Sequence, residues 1–357
     1  MQLADFEFVL PPELIAQEPV EPRDAARLLH APNYAPTEGG AVEHRVFREL
    51  PELLRPGDLL VMNDSRVVPA RFYGRRTTGG RVELFLLQRD GGRARALLRS
   101  RRALRPGEVI PLDGGTLEAR FLARGEDGAA EVELQLAPGV CSTLEEELRR
   151  TGHVPLPPYI HRAEEGDPRE ERDRERYQTI YARSPGSVAA PTAGLHFTPE
   201  LLQRLRVRGV EQAFVTLHVG RGTFEPVRSA RIEDHRMHAE WAELPAATAE
   251  RIATTRARGG RVIAVGTTSA RVLESARRGG GAASAWCGWT ELFLKPGDEV
   301  LAFDGLITNF HLPQSTLLLL VAALLGRQRL FELYGVAIER GYRFYSYGDA
   351  MLVWRPR

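Results

Sequence analysis

RVIAVGTTSARVLESARRGG, residues 261–280, decides the fold class. RVIAV is a short, continuous apolar run rich in β-branched residues, the pattern of a strand buried on both faces. Gly266 interrupts it. Thr267, Thr268 and Ser269 follow, and ARVLESARR then carries apolar residues at helical spacing up to Gly279. The surrounding chain repeats this alternation. PELLQRLRVRG (199–209) reads as an amphipathic helix, VEQAFVTLHVG (210–220) as a buried strand and AATAERIATTRARGG (246–260) as a helix. LITNF (306–310) is a further strand and STLLLLVAALLG (315–326) a further helix. Alternating strands and helices predict an α/β fold with a mostly parallel sheet and flanking helices.

Earlier in the chain the period changes to two. RVELFLLQRDGGRARALLRS (81–100) is a pair of strand-like runs joined by Asp90-Gly91-Gly92, a hairpin signal. GTLEARFLARGEDGAAEVELQLAPG (115–139) repeats the pattern around Gly125 to Gly128. Short β runs separated by glycine turns predict a small antiparallel β-barrel. The expected organisation is an α/β domain over 1–60 and 151–357, interrupted by an inserted barrel over 61–150. The polar tract AEEGDPREERDRER (163–176) reads as a solvated excursion.

The composition fits this division. A chain of 357 residues with 43% apolar and 27% charged residues is a globular protein of about two domains. Forty-eight basic residues face forty-seven acidic ones, for a net charge of +1, which taken alone argues against a nucleic-acid partner. Position along the chain reverses that inference. Residues 1–58 hold eleven acids against five arginines, whereas 66–124 hold fourteen arginines against five acids. The predicted barrel therefore carries the local basic excess that a polyanion would meet. Lys295 is the single lysine and sits in LKPGD, so no P-loop lysine exists and Schiff-base chemistry has one candidate. Two cysteines, Cys141 and Cys287, form no CxxC pair, which excludes a cysteine zinc cluster, an iron–sulfur site and a disulfide scaffold. A reduced, intracellular location is expected. MQLADFEFVLPPEL lacks the form of a signal peptide, and the longest apolar run, 317–325, falls far short of the ~20 residues of a membrane span.

Several segments combine glycine with proton carriers or hydroxyls. Gly266 followed by Thr267, Thr268 and Ser269 puts hydroxyls and unpaired N–H groups at a helix start, where an anion is favoured. Simple capping explains the same residues. VTLHVGRGTFEPV (215–227) ends a strand in His218 and continues through Gly220, Arg221, Gly222 and Thr223, so an acid/base group stands where a ligand can approach the backbone. PTAGLHFT (191–198) sets His196 near Gly194, and NFHLP (309–313) sets Asn309 and His311 at the end of a strand ahead of Ser315, a candidate N-cap. HRMHAE (235–240) would place His235 and His238 on one face of a helix, but it fixes no third metal ligand, and no metal is expected. Asn63, Asp64 and Arg66 in GDLLVMNDSR (57–66) lead into the barrel and also suit a plain turn. YSYGD (345–349) either stacks a ring or closes the sheet.

Taken in order, LPPELIAQEPVEPRDAARLL, NDSRVVPAR, ERYQTIYA, PTAGLHFT, VTLHVGRGTFEPV, HRMHAE, AVGTTSARVLES, LITNFHLPQSTLLLLVAAL and YRFYSYGDAML resemble the S-adenosylmethionine:tRNA ribosyltransferase-isomerases of queuosine biosynthesis. The blocks run from Leu10 to Leu352. Departures are few: Gln314 stands where the family often has lysine, LKPG at 294–297 replaces an aromatic-containing form, and Asp64-Ser65-Arg66 replaces Asp-Thr-Arg/Lys. The resemblance implies a cytoplasmic, monomeric enzyme. S-adenosylmethionine would serve as ribosyl donor, with no metal or redox cofactor. The partner would be a tRNA carrying 7-aminomethyl-7-deazaguanine at the wobble position. The products would be epoxyqueuosine-tRNA, adenine and methionine. On that reading His196 and His218 are the acid/base candidates. Gly220, Gly222, Thr223, Thr267, Thr268, Ser269, Asn309 and His311 would line the donor pocket. Asn63, Asp64, Arg66, Arg71, Arg75, Arg99 and Arg101 would meet tRNA, the arginines through phosphate, which positions rather than specifies. Two competing classes are a non-catalytic RNA-binding protein and a methyltransferase. The first leaves the glycine- and hydroxyl-rich turns unexplained, and the second predicts an early glycine-rich cofactor loop that is absent.

Overall fold

A computed structural model describes the chain apart from residues 33–41, 126–127, 164–165, 221, 223–228, 281–283 and 357. The deciding stretch folds as strand, turn and helix. Val262–Val265 is a strand, Gly266 takes a φ of 85°, and a helix runs over Gly266–Gly280. That left-handed φ is open to glycine at little cost and lets the chain turn from strand to helix in one residue.

The strand Val262–Val265 lies inside a nine-stranded sheet. Its order is Trp286–Thr290, Glu240–Leu244, Glu211–Leu217, Leu59–Asn63, Val262–Val265, Gly305–Asn309, Ala350–Trp354, Arg27–His30 and Glu43–Val46. Side-chain alternation splits the core in two. Leu59, Val61, Val262, Ala264 and Leu306 pack with residues of the helices Gly266–Gly280, Thr316–Leu325 and Arg327–Glu339. Leu60, Met62, Ile263, Val265 and Ile307 pack on the opposite side with Phe47, Leu50 and the apolar face of the helix Pro199–Val207. Burial on both faces is why these strands read as continuous apolar runs rather than alternating ones.

The sheet is mixed, which corrects the expectation of a mostly parallel one. Leu59–Asn63 is parallel to both its neighbours, Glu211–Leu217 and Val262–Val265, and Val262–Val265 is parallel to Gly305–Asn309. Outside this centre, Gly305–Asn309 pairs antiparallel with Ala350–Trp354, and Glu211–Leu217 antiparallel with Glu240–Leu244. The reason lies in the connections. One crossover helix returns the chain to the end where it began, so the next strand runs parallel. Between Gly305–Asn309 and Ala350–Trp354 stand two helices, Thr316–Leu325 and Arg327–Glu339, and the second undoes the reversal made by the first. The first begins at Ser315, whose hydroxyl accepts from the Leu318 N–H as the sequence suggested. The second buries Leu330, Leu333, Tyr334 and Ala337 at helical spacing, a signal the sequence reading did not take up.

The chain divides into two compact units: Met1–Arg66, Pro157–Ala163 and Arg176–Arg357 form one, and Val67–Leu156 with Glu164–Glu175 form the other. Residues 61–66, expected in the barrel, thus fall in the first unit, with Leu59–Asn63 in the large sheet and Ser65–Val67 paired with Ser184–Ser187. The second unit is a six-stranded antiparallel sheet in the order Arg71–Arg75, Arg81–Asp90, Arg93–Ser100, Ala130–Leu136, Leu117–Arg124 and Val109–Pro111. An antiparallel bridge between Gly74 and Leu112 joins its two ends, so the sheet is nearly closed and barrel-like. Gly74 is needed at that seam, because a Cβ there would lie 2.6 Å from the Pro111 carbonyl oxygen. Phe72, Val82, Leu84, Ala96, Val132 and Leu134 fill the interior, together with Leu148 of the helix Leu144–Thr151. Among the described residues no helix is long and apolar enough to cross a membrane.

Candidate functional site

The parallel strands Val262–Val265 and Gly305–Asn309 end side by side at a cleft of about 310 Å³. Ligands of open α/β sheets bind outside such carboxyl ends. Gly266, Thr267, Thr268 and Arg271 line the cleft from one strand–helix turn, and Thr308, Asn309 and His311 line it from the other. Thr192, Tyr159 and Tyr345 complete the wall. Of the donor-pocket residues named from sequence, Thr267, Thr268, Asn309 and His311 therefore come together there.

Asn309 is held from several directions. Its Oδ1 accepts from Thr192 Oγ1 at 3.0 Å, and its Nδ2 lies 3.1 Å from the Tyr345 carbonyl and 3.2 Å from His196 Nε2. His196 does not line the cleft. It is buried behind Asn309, tilted against Phe47 with ring centroids 5.0 Å apart. Burial, reinforced by the charges of Arg343 and Arg23, pushes its pKa down to about 3. A neutral His196 accepts from the Asn309 amide, so it orients Asn309. His311 is likewise buried and held at about 3 by desolvation, with Nε2 2.8 Å from Thr308 Oγ1.

Backbone strain concentrates at the same cleft. Gln314 (φ 56°) and Tyr345 (φ 71°) are the non-glycine residues with positive φ among the described residues, and both line it. Such conformations cost roughly 1–3 kcal/mol each and persist where the surroundings enforce them. Tyr345 stacks on Tyr159 at 4.3 Å, and Tyr159 Oη lies 2.7 Å from Ser346 Oγ. Burial pushes the Tyr159 phenol up to about 12 and the Tyr345 phenol up as well, so this aromatic wall stays uncharged.

Sequence reasoning missed Arg271 and Glu240. Arg271 is buried one helical turn beyond Thr267, and its Nη1 donates to Glu240 Oε2. Glu240 Oε1 accepts the Gly220 N–H at 2.8 Å. Gly220 thus serves the cleft at second hand through Glu240 and Arg271. Gly222 packs on His238, where a Cβ would lie 2.4 Å from the ring. Neither Gly220 nor Gly222 lines the cleft among the described residues; Val219 does. Ser269 is fully buried in the helix, also off the cleft, and Thr223 falls outside the described residues. HRMHAE is not a helix: a 3-10 turn ends at Asp234 and the strand Glu240–Leu244 begins the next element. The sequence offered only a carboxylate closing that block as a signal for Glu240; its burial follows from the fold. Among the described residues no cluster of three histidine, cysteine or carboxylate side chains is placed to hold a metal.

His218 sits one residue from the cleft. Its ring stacks on Trp241 at 5.8 Å and lies over Gly186, where a Cβ would be 3.1 Å from Cε1. Its Nδ1 has no hydrogen-bond partner among the described residues. Partial burial lowers its pKa, while the charge of Asp64 works in the opposite direction. Asp64 is itself buried and accepts from Thr216 Oγ1 at 2.7 Å and Arg183 Nη2 at 2.9 Å. Asn63 is wholly buried, its amide spent on the Leu217 backbone, whose carbonyl and N–H lie 3.0 and 3.1 Å away. Asn63 and Asp64 thus hold the strand Glu211–Leu217 in place, whereas the neighbouring Arg66 is exposed.

The basic barrel residues share one face. Alternation along Arg71–Arg75 puts Arg71, Tyr73 and Arg75 outward, and the register sets Glu83 opposite both Tyr73 and Arg99. Arg75, Arg81, Arg99 and Arg101 line a groove of about 470 Å³ with Tyr73 and Glu83. Glu83 pairs with Arg71 at 3.3 Å and with Arg99 at 3.5 Å, leaving a net positive groove.

A protein of Anaeromyxobacter sp. (strain Fw109-5) named S-adenosylmethionine:tRNA ribosyltransferase-isomerase is 54% identical over 359 residues, covering 99% of each chain. One of the same name from Gloeobacter violaceus is 51% identical over 350 residues, covering 98% of this chain and 94% of that one. The crystal structure of an S-adenosylmethionine tRNA ribosyltransferase from Thermotoga maritima is 38% identical with a TM-score of 0.54, covering 98% of this chain and 99% of that one. Residues 3–353 match the queuosine biosynthesis protein family over strands, cleft and barrel alike. With near-complete coverage from three directions, the chain belongs to that family.

Proposed function

We infer that the chain is an S-adenosylmethionine-dependent tRNA ribosyltransferase-isomerase of queuosine biosynthesis, and we propose that its acceptor is the aminomethyl amine of a 7-deazaguanine base in the tRNA anticodon. The observation that carries this is 54% identity, over 99% of both chains, to a relative named for that activity. The cleft supports it. Its aromatic wall suits a purine, its hydroxyls suit a ribose, and it stands where α/β sheets bind ligands. The donor is consumed rather than recycled: its ribosyl carbons pass to the amine, the ring recloses to an epoxycyclopentane, and adenine and methionine leave.

The sulfonium of the donor acidifies the adjacent C5′ hydrogens, so the enzyme needs a base there and a proton donor for departing adenine. His218 is the proton carrier this geometry favours: its Nδ1 has no partner among the described residues, and burial lowers its pKa and keeps the ring neutral as a base, while the charge of Asp64 works in the opposite direction. His196 acts as a positioning residue through Asn309. The arginine face of the barrel, Arg71, Arg75, Arg99 and Arg101, and the exposed Arg66 are proposed to take tRNA phosphates. A non-catalytic RNA-binding protein would need this basic face alone and leaves the strained cleft without a purpose.

The test is incubation of the full chain with S-adenosylmethionine and tRNA bearing the aminomethyl precursor. Adenine released in step with modified tRNA is the expected result. Methyl transfer with S-adenosylhomocysteine formed, or tRNA bound with no adenine released, would overturn it.

A further inference from the structure

We propose that Arg271 and the first turn of its helix form a carboxylate-binding subsite of the cleft, which takes the amino-acid carboxylate of S-adenosylmethionine. This rests on the donor assignment above and adds which end of the donor meets the helix Gly266–Gly280.

The hydrogen bonds of Arg271 lead to it. Its side chain is 7% exposed. Nε donates to the Leu292 carbonyl at 3.1 Å, and Nη1 donates to Glu240. Glu240 is itself pinned by the Gly220 N–H at 2.8 Å. The guanidinium plane is therefore fixed on two sides. Nη2 is buried and has no hydrogen-bond partner among the described residues. Guanidinium nitrogens only donate, so the complement of Nη2 is an acceptor. Thr268 lies three residues earlier on the same helical face, and its Oγ1 is also buried without a partner among the described residues. Both residues line the cleft.

These groups select an anion. The helix is 15 residues long and presents its unpaired N–H groups and positive dipole end beside Thr268. A fixed guanidinium arm, a hydroxyl and a helix start together match a carboxylate. S-adenosylmethionine has one such group. Neither its sulfonium nor its ammonium can accept the Nη2 hydrogen, and its adenine and ribose are neutral, weaker acceptors than a carboxylate. Pinning Arg271 in advance removes the ordering cost that a loose arginine would impose on binding.

The probe is decarboxylated S-adenosylmethionine, which keeps the adenosine, sulfonium and amine and lacks only the carboxylate. Adenine release by the full chain with precursor-bearing tRNA is measured for both donors. Unaltered protein should prefer S-adenosylmethionine in kcat/KM by about tenfold to a hundredfold, the range of one charge-assisted contact. Arg271→Lys keeps a cation beside Glu240 and gives up the second arm of the fork. It should lower the rate with S-adenosylmethionine by that factor, mainly through KM, and leave the analogue nearly unchanged. Thr268→Val should reduce the preference several-fold, and it decides the matter alone if Arg271→Lys does not fold. Equal use of the two donors by unaltered protein, or an equal loss on both donors in the variants, would sink the carboxylate subsite while leaving ribosyl transfer standing. No adenine from S-adenosylmethionine itself would instead overturn the donor assignment, and the subsite with it.

Discussion

The cleft and the barrel face use the same side chain in opposite ways. In the cleft one arginine is buried, ion-paired with Glu240 and bonded to the Leu292 carbonyl. On the barrel, the Arg99 side chain is 89% exposed and its partner Glu83 is shared with Arg71. A buried charge is costly to desolvate, so it persists only when paired and aimed, and each such group is individually irreplaceable. Exposed charges are screened and loosely held, and they act by number. The first arrangement suits recognition of one atom group of a small molecule. The second suits a long polyanion whose phosphates need only lie near the groove.

Four experiments put that contrast to the test. The largest effect is expected beside the cleft. His218→Gln should lower turnover by about a hundredfold to ten-thousandfold, the usual range for a lost proton carrier, with folding intact by circular dichroism. Near-normal turnover would remove His218 from the chemistry. Next comes stability. Arg271→Met strands the Glu240 carboxylate and should cost about 3–5 kcal/mol in urea denaturation, whereas Arg271→Met with Glu240→Gln should recover most of it. If the single and double variants are equally stable, the pair is not coupled.

A pH titration gives a third test. Burial holds His196 and His311 at about 3 in the folded chain, below the ordinary 6.5 of the unfolded one. As pH falls below about 6.5 the unfolded chain therefore takes up protons first, and stability declines until about pH 3. Each histidine contributes a slope of at most about 1.4 kcal/mol per pH unit. His311→Gln should remove about 0.7 of a proton from the mean slope measured between pH 7 and pH 5. An unchanged slope would mean that His311 does not titrate as buried. The smallest effect on stability belongs to the barrel. Arg99→Ala should leave stability within about 0.5 kcal/mol, weaken tRNA binding and reduce the salt slope of log affinity by about one. A variant that destabilises the barrel, or binds tRNA with the original slope, would place Arg99 with the structural arginines.

Much of this was legible in the chain because it depends on local period and turn chemistry. The strand–turn–helix at 261–280, the hairpin at Asp90-Gly91-Gly92 and the cap at Ser315 all form from neighbouring residues. Thr267, Thr268, Asn309 and His311 came from strand ends, and strand ends gather at one edge of a sheet. The misses share a different cause. Arg271 and Glu240 are 31 residues apart, and their pairing follows from sheet order rather than from spacing. Gly220 reads as a ligand loop in sequence and turns out to brace Glu240. Asn63 reads in sequence as a tRNA contact or a plain turn, yet its side chain is wholly buried and spent on the Leu217 backbone, because the strands beside it are buried.

Composition, period and turn residues were enough for the α/β body, the barrel-like insertion and the segregation of arginine into it, since each is a property of short stretches; the family came separately, from motif blocks that resemble it in their order. Only the tertiary structure decided that the sheet is mixed, because strand direction depends on the number of helices crossing between strands, and a second helix, Arg327–Glu339, adds one. It also decided which polar residues face the cleft. Whether a hydroxyl, imidazole or guanidinium is solvated, buried as a brace or aimed at a ligand depends on what packs against it, and those neighbours come from distant parts of the chain.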